Sequence, residues 1–221
     1  MDFGRVINLR ASDAPSGVVD DWGRDPALVR SVMRLARGRW NVSVGGDQFL
    51  PRRKGALLVV NARRFALSPI LAAFAVSEAV GRPVRFVGRP DTAPVGAFSR
   101  RIGGLLEHPD EVAGALAASQ IVVMGAEHGD VGRVDHALVG AALASGVSVY
   151  PAATVSSPFS RAARVEIGPA SKSLRRRRGP LSELELADQV RVDIARLLDE
   201  LGELHTGTPL DWLPLSGLGG A

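Results

Sequence analysis

Apolar and polar positions follow two periods along most of the chain, and together they predict a layered α/β protein. Short apolar runs that suit buried strands are separated by segments with the spacing of amphipathic helices. Strands are predicted at 40–44, 56–60, 83–88, 120–126, 147–152 and 163–168, and helices begin near 25, 69, 109, 135 and 182. Strands that alternate with helices favour a mostly parallel sheet flanked by helices.

Capping residues mark several of the predicted helix ends. Asp25 precedes Pro26, the pair expected at an N-cap and at the first helical position. Gly81 is placed to end the second helix. Ser182 and Glu185 have the spacing of a capping box, which predicts that the last helix starts at Ser182.

The pattern divides the chain into three parts. Residues 1–24 have no clear period and are predicted to form an irregular arm. Residues 25–201 are predicted to form one α/β domain. The tail over 202–221 is rich in Gly, Pro and Leu and contains Trp212, and it either packs back on the domain or stays loose.

Two predicted helices raise the question of a membrane. The helix after Asp25 has an apolar face and a face of arginines, so it either packs on the domain or lies on a membrane surface. The helix at Pro69–Val80 is apolar almost all round, which favours burial or contact with lipid. No apolar run reaches the roughly 18 residues that span a bilayer. The sequence therefore predicts peripheral contact at most.

Composition adds limits on location and partners. The chain has no cysteine, which excludes disulfides and thiolate metal sites and fits a cytoplasmic protein. Its first residues lack the apolar region of a signal peptide. The net charge of +4 comes mostly from arginine and suits an anionic membrane surface, phosphates or RNA, or reflects a GC-rich genome. The arginine run at 175–178 has no interleaved aromatic residues, so we expect no nucleic-acid partner.

The turn that follows the strand at 56–60 is the first candidate site. It offers Asn61, Arg63, Arg64 and Ser68, with no acid and no histidine. Arg63 and Arg64 precede a helix N-terminus, where arginines can hold a phosphate or a lipid headgroup. The alternative is a solvated turn.

The segment "GAEHGDVGRVDH" over 125–136 is the second candidate. Its Glu127, His128 and Asp130 are the candidate catalytic residues, because a histidine and carboxylates in one loop can form an acid–base pair. The spacing matches no zinc pattern, so we expect no metal site. The alternative is a polar loop in which Asp135 caps the next helix.

The order of these segments resembles the glycerolphosphate and lysophospholipid acyltransferase family over about residues 25–201. "WNVSVGGDQFLP" resembles the family's W-x-V-x-V-G-G-x-x-x-L-P, and "GALLVVNARRFALSP" resembles G-x-L-L-V-x-N-H-x-x-x-x-D-P. "VVMGAEHGD" resembles the strand that leads into P-E-G, and "GVSVYPA" resembles G-x-P-V-x-P-V. The resemblance implies one α/β domain with a mostly parallel mixed sheet, lipid or acyl-CoA as ligand, and no cofactor.

The departures from the family concern its catalytic residues. In the family, a histidine takes the proton of the acceptor hydroxyl, and an aspartate separated from it by four residues orients it. The matching positions here are Ala62 and Leu67, and a shift of one residue replaces Leu67 by Ser68. The arginine that holds the acceptor phosphate has no counterpart around "IGGLLEHP". Glu127 matches the family's glutamate, with His128 where glycine is expected.

Three functions follow from this comparison. The first is a catalytically inactive acyltransferase-fold protein, a pseudoenzyme of phospholipid or glycerolipid metabolism that binds lipid or acyl chains or regulates at the inner face of the membrane. The second is an active acyl-CoA-dependent acyltransferase with His128 as a relocated base. The third is a protein-interaction module with an unidentified partner, motivated by the apolar tail segment "LDWLPLSGL". An apolar tunnel towards the turn at 61–69 favours the first, whereas Phe65 and Leu67 filling it would favour the third.

Overall fold

The computed structural model describes residues 19–62, 67–91, 94–127, 133–156, 161–172 and 179–201. The strands are β1 Asn41–Gly45, β2 Ala56–Ala62, β3 Val84–Gly88, β4 Gly104–Leu106, β5 Ile121–Glu127, β6 Ser148–Ser156 and β7 Ala162–Ile167. The helices are α1 Pro26–Arg39, α2 Ser68–Val80, α3 Gly96–Arg101, α4 Pro109–Ala117, α5 His136–Ala144 and α6 Pro180–Leu201, with a short 3₁₀ turn at Asp47–Phe49.

All strands join one seven-stranded sheet in the order β1-β7-β6-β2-β5-β3-β4. Neighbours are parallel except β6 and β7, which are antiparallel. Consequently β1 and β7 run opposite to the other five strands, and their first residues lie at the same edge of the sheet as the carboxyl ends of β2 and β5. The structure confirms the predicted single α/β domain with a mostly parallel mixed sheet.

Side chains of the central strand β2 alternate between two apolar layers. Leu58 and Val60 belong to the layer that α1 and α2 cover, and Leu57 and Val59 belong to the layer covered by α4, α5 and α6. All four are fully buried, as the period of two along a strand requires when both faces of a sheet are covered.

The predicted helix at Pro69–Val80 is buried in the protein, so contact with lipid is not needed to explain its composition. The apolar face of α1 also packs inward: Val29 is buried, and Val32 and Met33 contact the same core. An ion pair between Arg37 and Glu78 joins α1 to α2. The face that a membrane-surface helix would place in lipid is thus used by the domain. Within the described residues, no helix is long and apolar enough to cross a bilayer.

Two short elements and the start of the last helix differ from the prediction. The short elements α3 and β4 were not predicted, because six and three residues are too few to show a period. The last helix starts at Pro180, so the predicted start at Ser182 is wrong. Ser182 lies inside the first turn, where its hydroxyl accepts a hydrogen bond from the Gly179 N–H (3.0 Å) and donates one to the Gly179 carbonyl (2.7 Å).

Candidate functional site

The two predicted loops leave the sheet side by side. In the parallel pairing of β2 with β5, Asn61 lies opposite Ala126 and Ala62 opposite Glu127. Loops at the carboxyl edge of such a sheet are the usual place for a binding or catalytic site. Arg63, Arg64, Phe65, His128 and Asp130 lie outside the described residues, and only the backbone of Glu127 is described.

Asn61 is buried, and its side chain joins β2 to β6. Its amide nitrogen donates to the carbonyl of Thr154 (2.9 Å), and its amide oxygen accepts from the backbone N–H (2.5 Å) and the hydroxyl (3.0 Å) of Thr154. The amide therefore continues the hydrogen bonding between β2 and β6 by one position beyond the pair Val60–Ala152. Because both ends of this amide are used, Asn61 holds the strand end in place and is not free to bind a substrate.

Ala62 ends β2 in a closely packed position. A Cβ atom added at Gly125 of the neighbouring strand would lie 2.9 Å from the methyl carbon of Ala62 and 3.3 Å from Cγ of Pro69. Glycine at 125 thus lets the start of α2 and the end of β2 approach β5. The side chain that matches the family's histidine is a methyl group in a narrow space and can neither accept nor donate a proton.

Leu67, which matches the family's aspartate, belongs to an apolar cluster. The cluster is formed by the buried residues Trp40, Leu71 and Ala163, and Leu67 packs against it together with Val42. Ser68, the alternative match, is buried as the first residue of α2. Positions 67 and 68 therefore contribute apolar packing and a helix start.

The same apolar cluster forms part of a groove of about 630 Å³ between α1, α2, β1 and β7. Apolar side chains that line it include Met33, Ala36, Trp40, Val42, Leu71 and Phe74. The charged residues along it are Arg37, Glu78 and Arg161; Arg37 pairs with Glu78, and the Arg161 side chain donates to the Arg37 carbonyl (3.1 Å). Because β1 and β7 begin here, the groove lies at the same edge of the sheet as Ala62.

The groups with shifted pKa values lie away from this edge. Burial lowers the pKa of Arg82, and the backbone N–H of Leu28, followed by the Arg101 side chain, lowers the pKa of Asp25. Burial likewise lowers the pKa values of Arg24 and Arg85. Among the described residues, no three histidine, aspartate or glutamate side chains are grouped to hold a metal ion.

Two features of this edge were not predicted from the sequence. Thr154 lies 93 positions from Asn61, and no local sequence motif predicts the hydrogen bonds between the two residues. The groove joins the end of α1 to β1, α2 and β7. Its sequence signal is the apolar face of α1 followed by Trp40, a pattern that predicts a helix packed on the domain or on a membrane surface, and then a strand.

The fold is one α/β domain with a seven-stranded, mostly parallel mixed sheet and helices on both faces. Among solved structures, the chain is similar to the 1-acyl-sn-glycerophosphate (LPA) acyltransferase PlsC from Thermotoga maritima, with a TM-score of 0.56 and 16% sequence identity. The match covers 80% of this chain and 79% of that one. No protein-family model and no curated protein sequence matches the chain. At this identity the likeness establishes the fold alone.

Proposed function

We propose that this chain is an acyltransferase-fold protein of phospholipid or glycerolipid metabolism that binds an acyl chain without transferring it. The observation that carries the proposal is the apolar groove at the carboxyl edge of β2, lined by Trp40 and Leu71 of the cluster against which Leu67 packs. The structural neighbour acts on 1-acyl-sn-glycerophosphate, a lipid with one acyl chain. The proposal assigns a ligand of this kind to the groove.

Loss of the transfer reaction follows from the residues at the strand end. Acyl transfer to a hydroxyl requires a base that removes the hydroxyl proton. Ala62 supplies no such group, Leu67 packs in the apolar cluster, and the amide of Asn61 is already bonded to Thr154. The proposed protein is therefore a pseudoenzyme that keeps the scaffold and the lipid site.

The size of the groove suits one acyl chain. A groove of about 630 Å³ is within the size range of small-molecule sites and accommodates one acyl chain. The two arginines along the groove outnumber its one carboxylate, Glu78, and this net positive charge would favour an anionic headgroup.

Peripheral membrane contact is part of the proposal. The outer face of α1 carries Arg30 and Arg34, and the neighbouring Leu35 is exposed. Arginines near an anionic bilayer contribute about 1 kcal/mol each, and an exposed leucine can enter the headgroup region. A protein held there would receive its lipid directly from the membrane.

A bulky side chain in the groove tests the site. Ala36→Phe places a ring where the groove is lined by a methyl group, while Ala195→Phe makes the same change on the exposed face of α6. We expect Ala36→Phe to weaken binding of a fluorescent fatty acid or lysophospholipid by about tenfold or more, the effect of losing two buried methylenes. Ala195→Phe should bind as the unmodified protein does. Equal binding by both variants would contradict the groove assignment.

The alternative function is an active acyl-CoA-dependent acyltransferase with His128 as the base. The observation in its favour is that Glu127, the residue before His128, lies opposite Ala62 in the β2–β5 pairing. This alternative requires that the protein releases CoA from acyl-CoA and that His128→Ala abolishes the release. Enzyme-dependent release would replace the pseudoenzyme proposal by this one.

A further inference from the structure

A cluster of arginines lies on the sheet well away from the groove. Its centre is Arg85 of β3, which is only 1% exposed. Arg85 pairs with Val122 of β5, and Glu127 at the end of that strand pairs with Ala62. Val122 and Glu127 are five residues apart along β5, and each residue of a strand spans about 3.3 Å. The cluster therefore lies about 17 Å along the sheet from the end of β2. It is a separate feature from the candidate lipid site.

Among the described residues, only one nitrogen of the Arg85 guanidinium has a hydrogen-bond partner. Nη2 donates to Oδ2 of Asp20 at 2.5 Å, while Nε and Nη1 are buried without a partner. The Trp22 ring covers the group, with the guanidinium carbon 5.8 Å from the ring centre. Two strong donors of a charged group are thus removed from water with no acceptor, which is costly in any protein interior.

Arg24 adds a second buried cation that forms no ion pair among the described residues. It is 9% exposed, and within the described residues its guanidinium makes no hydrogen bond or ion pair; its Nε is fully buried. Asp20 is nearby but already used, because Oδ1 accepts from the backbone N–H groups of Trp22 and Arg24 and Oδ2 accepts from Arg85. Burial, and then the charge of Arg85, lower the pKa of Arg24.

The backbone around the cluster accommodates the arginine stems. Gly23 (φ +82°) and Gly103 (φ +106°) have left-handed conformations, in which a Cβ would lie 3.0 Å from Cγ of Arg100 and 3.4 Å from Cδ of Arg24. Arg100 is 31% exposed and pairs with Glu111. The cluster therefore holds three guanidinium groups against the two carboxylates of Asp20 and Glu111.

We propose that Arg24 and Arg85 form a binding site for a phosphate group, with Arg100 at its solvent edge. Three buried nitrogens of Arg24 and Arg85 lack an acceptor among the described residues, and phosphate offers four acceptor oxygens whereas a carboxylate offers two. Guanidinium groups bind phosphate through such paired donors. A bound phosphate supplies the negative charge that the cluster lacks.

Binding of inorganic phosphate to the full-length protein tests this site. Calorimetric titration at constant ionic strength, with chloride as the balancing salt, should show saturable binding, and phosphate should raise the Tm. Arg24→Gln should weaken the binding by roughly tenfold or more, the effect of one lost charge-assisted hydrogen bond. The matched control is Arg101→Gln, because Arg101 is 57% exposed at the same edge and pairs with Asp25 instead. Its phosphate affinity should not change.

A second variant keeps the test decisive if Arg24→Gln does not fold. Arg24→Lys retains the charge but not the planar pair of donors, so it should fold and still bind phosphate more weakly. Absence of saturable binding to the unmodified protein, or equal affinity in both Arg24 variants and the unmodified protein, would overturn the proposal.

The phosphate group can belong to a soluble molecule or to a lipid, and a second arm separates these sources. Glycerol 3-phosphate is titrated in solution, and vesicles of phosphatidylcholine with and without phosphatidate are used in a flotation assay. Binding to phosphatidate vesicles that Arg24→Gln reduces and Arg101→Gln does not would identify a lipid headgroup. Arg24-dependent binding of the soluble compounds alone would identify a free phosphate or phosphomonoester.

Discussion

Replacement of Asn61 by alanine should destabilise the fold strongly, because its amide satisfies two buried backbone groups of Thr154. The N–H and the carbonyl of Thr154 bond to the Asn61 side chain at 2.5 and 2.9 Å. Each buried backbone group left without a partner costs about 1–3 kcal/mol. Asn61→Ala should therefore lower the free energy of unfolding by about 2–6 kcal/mol, a large part of the 5–15 kcal/mol of a typical domain.

Urea unfolding followed by circular dichroism measures this loss, and Thr154→Val is the matched control. The valine removes only the Thr154 hydroxyl, whose bonds to the Asn61 side chain and carbonyl are 3.0 and 3.2 Å, and leaves the backbone pairing intact. Thr154→Val should lower the free energy of unfolding by about 0.5–1.5 kcal/mol. A loss below about 1 kcal/mol for Asn61→Ala would refute the structural role of the amide and return Asn61 to the list of possible ligand-binding groups.

Two further predictions concern the strand end and the first helix. Gly125→Ala should lower stability by about 1–3 kcal/mol through overpacking, since its Cβ would lie 2.9 Å from that of Ala62. Thermal unfolding measures the loss, and a double variant with Ala62→Gly that is no better than the sum of the single changes would contradict the contact. Asp25→Asn keeps an oxygen that caps α1 but cannot titrate. Folding lowers the pKa of Asp25, so its carboxylate stabilises the protein at pH values above 3.8, the pKa of this group in the unfolded chain. This contribution is lost as the pH falls through the lower pKa of the folded state. Asn at this position should thus reduce stability at pH 7 and flatten the decline below about pH 4, and an unchanged acid profile in urea titrations would argue against the pair with Arg101.

Local signals explain why most of the fold could be predicted. The Asp25 and Asp135 side chains accept hydrogen bonds from the first turns of α1 and α5, as their positions before apolar runs predicted. The apolar run at 56–60 forms the central strand because both faces of the sheet are covered, so every residue of the run is buried. Signals of this kind depend on neighbours within a few positions, and the sequence shows them directly.

Contacts between distant positions explain what could not be predicted. Arg85 lies in a predicted strand, but its partner Asp20 is 65 positions away, in the segment 1–24 that is predicted to form an irregular arm. Asn61 lies at the end of a predicted strand, but its partner Thr154 lies beyond the predicted end of β6 at residue 152. In the structure β6 extends to Ser156 and includes Thr154. The groove likewise exists only because α1, α2, β1 and β7 meet. Of the site residues themselves, Arg63, Arg64, His128 and Asp130 remain predictions.

The most direct test of the central claim is a time course by native mass spectrometry of the purified protein with acyl-CoA and a lysophospholipid. Retention of one acyl lipid per chain, with no release of free CoA above the protein-free control, is the result that the pseudoenzyme proposal predicts. Free CoA and a diacyl product that form at a rate proportional to protein concentration would contradict it, and loss of that rate in His128→Ala would identify the relocated base. If neither ligand binds, the groove is not a lipid site, and the interaction module becomes the better account.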